Sequence, residues 1–243
     1  MTLLVLDTAQ GLCTVALGRD GRVIASRSEP MTRGHQERLP VLVEAVLAEA
    51  GVAASALEVV AATRGPGSFT GLRVGVTFAQ GLAAATGARP IGLSSLDALA
   101  VQAHLAAPDG PSPIVAVMDA RRGQVYLALW GAQGISGDGS GVIDSSLARA
   151  SMQAAGAMTI ENAASLLKAS SPSTQVIGSG AHLIKPASSD AGQVEGPDPA
   201  ALVHLATIRA GQVGATGLDP LYLRAPDATP PTRLPGQPRP DRA

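Results

Sequence analysis

The spacing of apolar positions changes repeatedly along this chain, and each change marks an element. Leu4-Val5-Leu6 is a continuous apolar run that stops at Asp7. The stretch Thr8-Ala9-Gln10-Gly11 interrupts it, and Leu12-Cys13-Thr14-Val15-Ala16-Leu17 resumes it. This reads as two strands joined by a short turn. A third strand is expected near Arg22 to Ser28. Between about Gln36 and Ala50 the spacing becomes helical, with Leu39, Leu42, Val43, Val46, Leu47 and Ala50 recurring on adjacent stripes. Pro40 fits such a helix only in its first turn, and Gly51 stops it. A strand over 58–64 runs into a glycine loop, and a helix from about 71 to 86 follows. The short segment Pro90-Ile91-Gly92-Leu93 leads to Ser94-Ser95-Leu96-Asp97, which can cap another helix toward His104.

The same opening returns after the linker Ala107 to Pro113. Val115-Ala116-Val117-Met118-Asp119 is followed by Ala120-Arg121-Arg122-Gly123 and then Gln124-Val125-Tyr126-Leu127-Ala128-Leu129. In both copies Asp ends a strand, Gly comes four residues later, and the second strand closes on Ala-Leu, a match that points to duplication. A glycine-rich turn at Gly131 to Gly141, a short strand near Val142-Ile143, a helix near Thr159 to Lys168, and a strand and turn over Gln175 to Ala181 continue the second half. Asp198-Pro199 starts a last helix to about Gly211. From Pro226 onward the chain is Pro-rich and poorly apolar, so an extended or disordered tail is expected over 226–243. The expectation is an α/β fold with mixed sheets. Its first subdomain would be 1–105 plus about 198–225, with a smaller second one over 106–197.

Composition narrows the function classes. The 243 residues are 46% hydrophobic and 15% charged, enough for a sizeable core; aromatics are 2%, so that core must be aliphatic. A net charge of −1 argues against a chain that grips nucleic acid alone through a broad basic face. The single Cys13 excludes an internal disulfide and a cysteine zinc cluster. No signal peptide or run of transmembrane length is visible, so a soluble cytoplasmic protein is expected.

The chemistry concentrates in few places. Gly65-Pro66-Gly67-Ser68-Phe69-Thr70-Gly71-Leu72-Arg73 joins a strand to a helix, with Ser68 or Thr70 as the cap. It is neither a P-loop nor a dinucleotide fingerprint, and a structural turn and a ligand loop both remain open. Arg73 can point at a ligand or at a partner carboxylate. Gly71, Gly75, Ala79 and Ala83 stack on one helical face. A glycine inside a helix costs about 0.5–1 kcal/mol, so close packing is expected, onto the chain's own sheet or onto a second chain. Asp7 and Asp119 end strands before turns, where a carboxylate can cap the turn or hold a hydrated magnesium near nucleotide phosphates. His35, His104, His182 and His204 form no HxxxH or HExxH.

Taken in order, Leu4-Val5-Leu6-Asp7-Thr8, His35-Gln36-Glu37-Arg38-Leu39, the glycine loop through Gly75, Ser94-Ser95-Leu96, Asp119 through Tyr126 and Pro220-Leu221-Tyr222-Leu223-Arg224 resemble the TsaB (YeaZ) family. The resemblance implies the actin-like, sugar-kinase-like (ASKHA) ATPase fold with two related RNase H-like subdomains. It implies a non-catalytic partner of TsaD in the synthesis of threonylcarbamoyladenosine beside the tRNA anticodon, with TsaE as a further partner and tRNA reached through the complex. Self-association in the absence of TsaD is also implied. No cofactor or metal is expected on this chain alone, with ATP or ADP a candidate at the complex interface. Carried over, the partner-binding residues would be His35, Arg38, Leu39, Leu42, Val43 and Val46 on one helix, and Leu72, Gly75, Val76, Ala79 and Ala83 on the next. A bulky residue at Gly75 or Ala79 is then expected to wedge the partner away while the lone fold survives. The alternative is a stand-alone ATPase or kinase built on Asp7, the glycine loop and Gly178-Ser179-Gly180.

Overall fold

The computed structural model describes residues 1–107, 113–130, 157–185, 194–212 and 217–223. Strands β1 (Thr2–Asp7), β2 (Leu12–Arg19), β3 (Arg22–Pro30), β4 (Val59–Gly65) and β5 (Arg89–Ser94) form one sheet in the order β3-β2-β1-β4-β5. Strand β2 runs antiparallel to both β1 and β3, and β4 is parallel to both β1 and β5. Strands β6 (Ile114–Arg121), β7 (Gln124–Trp130), β8 (Met158–Thr159) and β9 (Gln175–Ile177) form the other sheet in the order β8-β7-β6-β9. There β7 is antiparallel to β6 and β8, and β9 is parallel to β6. The arrangement β3-β2-β1-β4 therefore recurs as β8-β7-β6-β9, and the repeat read in the sequence is a repeat in topology.

Six helices are described: α1 (His35–Glu49), α2 (Phe69–Thr86), α3 (Ser95–Ala106), α4 (Ile160–Ala169), α5 (Ala181–Ile184) and α6 (Pro199–Gly211). The period-2 pattern of the strands sorts them into layers. Leu4 and Leu6 of β1 face α1 and α2, together with Val15, Leu17, Val60 and Ala62. Leu3 and Val5 face the opposite way, onto α3 and α6. Ile114, Ala116 and Met118 of β6 cover the other side of α3. Val115 and Val117 turn to α4 and α5. The order is thus α1/α2, first sheet, α3/α6, second sheet, α4/α5. Helix α3, clamped between two sheets, is buried almost all round, from Ser95 through Val101. Asp97 and Arg209 join α3 to α6 by an ion pair of 2.9 Å within this layer.

Three details differ from the sequence expectation. Helix α2 starts at Phe69, because Ser68 is its cap and accepts from the Gly71 N–H at 3.3 Å. Helix α1 starts at His35 behind Gly34, so Pro40 lies beyond the first turn. Its missing N–H falls on an exposed stretch where water can serve the freed carbonyl. The segment at Pro90 is a full fifth strand paired along β4. The expected turn at Gly131 to Gly141, the strand at Val142-Ile143 and the tail over 226–243 lie outside the described residues.

Candidate functional site

The glycine loop is fitted against the turn that follows β1. The Ser68 N–H donates to the Ala9 carbonyl at 2.7 Å, and Thr8 Oγ1 donates to the Gly71 carbonyl at 2.8 Å. A Cβ on Gly67 would overlap the Ala9 carbonyl, one on Gly71 the Thr8 carbonyl, and one on Gly75 the Thr8 hydroxyl. The small face of α2 is therefore explained inside the chain: it lets the helix start lie directly on the turn. Gly65 adopts φ 123°, and a Cβ there would stand 2.6 Å from the Leu221 carbonyl. The closing segment crosses here, with the Leu221 N–H donating to the Arg64 carbonyl at 2.6 Å. Pro66 is buried and Thr70 exposed.

Asp7 lies under this assembly, fully buried. Its Oδ1 accepts from the Ala9 N–H at 3.1 Å and from the Thr63 hydroxyl, while its Oδ2 finds no partner among the described residues. Burial pushes its pKa up to about 6, against the pull of those two hydrogen bonds. Its observed contacts are those of a turn cap. Asp119 repeats the contact at the end of β6: its Oδ1 accepts from the Arg121 N–H at 2.7 Å, and its carboxylate also pairs with the Arg121 guanidinium at 3.3 Å.

The two Asp-ended turns face each other across a cleft of about 610 Å³. Ala9, Gln10 and Gly11 line one wall with Gly67, Ser68 and Phe69; Asp119, Arg121 and Ser179 line another. Ser179 joins the halves. Its hydroxyl accepts from the Asp119 N–H at 3.3 Å and donates to Gln10 Oε1 at 3.1 Å. From the sequence, Ser179 is a candidate only within Gly178-Ser179-Gly180 of the enzyme alternative and Gln10 is not one, and no spacing rule links two polar residues on separate halves.

The partner-binding assignment needs correction. Leu39, Leu42, Val43 and Val46 of α1, and Leu72, Val76, Ala79 and Ala83 of α2, are all at most 5% exposed. All but Leu72 belong to the core between these helices and the first sheet. Leu72 is 1% exposed and would lie 3.2 Å from a Cβ on Gly65. Gly75 sits on Thr8. Helical periodicity identified the apolar stripes correctly, but those stripes are already consumed by the chain's own sheet. Arg38 is also engaged within the chain, bonding Glu29 of β3 through Nε at 2.7 Å and its NH2 group at 2.5 Å. That pairing holds the Glu29 carboxyl below its ordinary range. His35 lines the cleft. What α1 and α2 turn outward is different: Val41, Glu44, Ala45 and Ala48 on one, and Thr77, Gln80, Gly81 and Ala84 on the other, beside half-buried Val74, Phe78 and Leu82.

At the head of α2 an exposed cluster was also missed. The Phe69 and Tyr222 rings lie 5.3 Å apart, and the Arg73 guanidinium sits 3.8 Å over Phe69. Arg73 Nε donates to the Tyr222 hydroxyl at 3.0 Å, so its observed partners are in its own chain. The chain has two Phe and two Tyr in all, and a pairing across so long a loop leaves no local signature.

Two related halves, each a hairpin joined to a parallel strand, with helices between and outside the sheets and a cleft where the turns meet, make the actin-like, sugar-kinase-like (ASKHA) fold. A solved structure of YeaZ from Pseudomonas aeruginosa matches with a TM-score of 0.69 at 29% identity, covering 91% of this chain and 99% of that one. The sequence is 40% identical over 128 residues to the tRNA threonylcarbamoyladenosine biosynthesis protein TsaB of Escherichia coli, 53% of this chain and 54% of that protein. It is 38% identical over 131 residues to the TsaB of Haemophilus influenzae, 53% of each. The chain thus spans about half the length of the curated relatives it matches. Residues 23–166 match the family described as TsaD: tRNA N6-adenosine threonylcarbamoyltransferase. The chain belongs to that family, in its TsaB (YeaZ) branch.

Proposed function

We propose that this chain is the non-catalytic scaffold subunit of the complex that makes N6-threonylcarbamoyladenosine beside the tRNA anticodon. It docks on the TsaD transferase and holds it active. The observation that carries this reading is the outward face of α1 and α2. Gly81, Ala84, Ala45 and Ala48 leave backbone accessible, and Val41, at 48% exposure, and half-buried Phe78 add apolar surface. Small residues of this kind permit a partner helix to approach closely, and Phe78 can anchor it. The names of its relatives supply the pathway. TsaE and tRNA join through the complex, a homodimer forms through the same face when TsaD is absent, and ATP or ADP binds at the shared interface rather than to this chain alone. The setting is the bacterial cytoplasm; among the described residues no helix is long and apolar enough to cross a membrane.

The test uses positions that the fold does not need. A Cβ on Gly81 meets nothing within 4 Å, and Ala84 is exposed. Gly81→Glu and Ala84→Glu should abolish the one-to-one complex with TsaD in gel filtration with light scattering, while each variant melts close to the parent. An intact complex in both, or ATP turnover by the chain alone, would overturn the proposal.

A further inference from the structure

Away from the cleft, two imidazoles meet where the inner helices α3 and α6 lie side by side. Asp97, near the start of α3, pairs with Arg209, near the end of α6, at 2.9 Å. Further along α3, Gln102 Oε1 accepts from the N–H of Asp198, the cap of α6, at 3.0 Å. The two helices therefore run antiparallel. His104 stands two turns beyond Asp97 on the same face of α3, about 10 Å further on and beside the start of α6. His204 stands between the middle of α6 and its start. Helical side chains lean toward their own N-terminus, so in this antiparallel pair the two rings lean toward each other. They come close enough for a charge on His104 to act on His204. Both residues are half-buried.

Neither ring is tied down. Among the described residues no hydrogen bond or ion pair engages either imidazole. The carboxyl groups of both helices are engaged: Asp97 by Arg209, and Asp198 by the Ala201 N–H that it caps. Burial lowers the pKa of each imidazole below its ordinary range, and His104 lowers that of His204 further. At neutral pH both rings are therefore uncharged, and each keeps a bare nitrogen lone pair. Neutral imidazole is the commonest metal ligand. It suits zinc, copper and nickel, whereas magnesium and calcium take oxygen. Among the described residues no three His, Cys, Asp or Glu side chains gather to hold an ion, so the two imidazoles would be the protein's whole share and water would complete the shell. No HxxxH announces the pair, because its members come from separate helices.

We propose that His104 and His204 form a two-histidine site for a divalent transition-metal ion such as zinc, which ties the end of α3 to α6. The Asp97–Arg209 pair holds the other end of the same seam, so the ion adds a second clamp to the layer that both halves share. This goes beyond the scaffold role and does not depend on it.

The test is titration of the full chain with zinc chloride at neutral pH in a non-chelating buffer, following the imidazole resonances of its four histidines by NMR and the heat of binding by calorimetry. The His104 and His204 signals should move together and saturate at one zinc per chain, ahead of those of His35 and His182. Zinc should also raise the melting temperature, since it binds the folded chain through ligands that only folding brings together. His104→Gln and His204→Gln should each weaken binding roughly tenfold or more and remove the zinc-dependent rise in melting temperature. Both positions are half-exposed, so without zinc each variant should melt close to the parent. Lowering the pH to about 5 should release the ion as the rings take up protons. No saturable shift at His104 and His204, a response centred on His35 or His182, or parent-like binding by both variants would overturn the proposal. The outward face of α1 and α2 is untouched in both variants, so both should still bind TsaD, and a failure here is separated from a failure of the scaffold reading.

Discussion

Asp7 and Asp119 occupy the same place in two copies of one hairpin, yet their surroundings differ. Asp7 is fully buried beneath the glycine loop and bonded to Thr63, whereas the Asp119 side chain is 27% exposed and answered by Arg121. The surrounding sheets differ in the same direction. The first copy has a nine-residue β3 and a fifth strand; in the second the equivalent of β3 is the two-residue β8. The first half carries the glycine loop over its turn, and its aspartate lies in the core where the other is a partly solvated cap. A duplicated motif thus does not carry a duplicated role, because burial decides what the same carboxyl group can do.

The largest test breaks the layer that both halves share. Asp97 is 2% exposed, and its pKa is raised by burial against the pull of Arg209. Arg209→Leu leaves that carboxyl buried without its cation and should cost about 3–5 kcal/mol, read as a lower denaturation midpoint for the whole chain.

The next test addresses Asp7. Its folded pKa of about 6 lies above the unfolded 3.8. Between these values the folded chain holds a proton that the unfolded chain has lost. Its contribution should therefore weaken stability as pH rises from about 4 to 6 and stay level above that. The full difference is roughly 3 kcal/mol at about 1.4 kcal/mol per pH unit. Asp7→Asn should remove this slope in urea midpoints measured across that range. Asp119→Asn, at a partly solvated turn, should move stability by no more than about 0.5 kcal/mol.

Smaller effects separate glycines that need their bare backbone from one that does not. Gly71→Ala or Gly75→Ala drives a methyl group into Thr8 and should cost about 1–3 kcal/mol. Gly81→Ala, in open space on the same helix, should raise stability by about 0.5–1 kcal/mol. Thermal melts of the three variants side by side would show whether the small face of α2 serves the Thr8 turn.

The first half was the more legible in the sequence. The apolar runs of β1 and β2, helical spacing in α1 and the break at Gly51 are local signals, and each element stands within a few residues of where they put it. The repeat of the Asp-ended hairpin was legible too, since it rests on a long run of matching residue types. What touches each face was not. The spacing of Gly71, Gly75, Ala79 and Ala83 says that something must come close, but not that it is Thr8 for the first two and the core for the others. The same limit hid the Gln10–Ser179 bridge and the Phe69–Tyr222 pair, since each joins residues far apart in the chain.

The closing segment carries a consequence for how the protein is made. Leu221 bonds the Arg64 carbonyl, the Leu218 carbonyl accepts from Gln80, and α6 packs on the first sheet. Synthesis is vectorial, and domains generally form as they emerge. Here the half that emerges first lacks its inner helix and its strap until residues 199–221 have left the ribosome. The nascent chain must therefore carry an open apolar sheet face through most of translation, and the half made second has its chance to form before the half made first is complete.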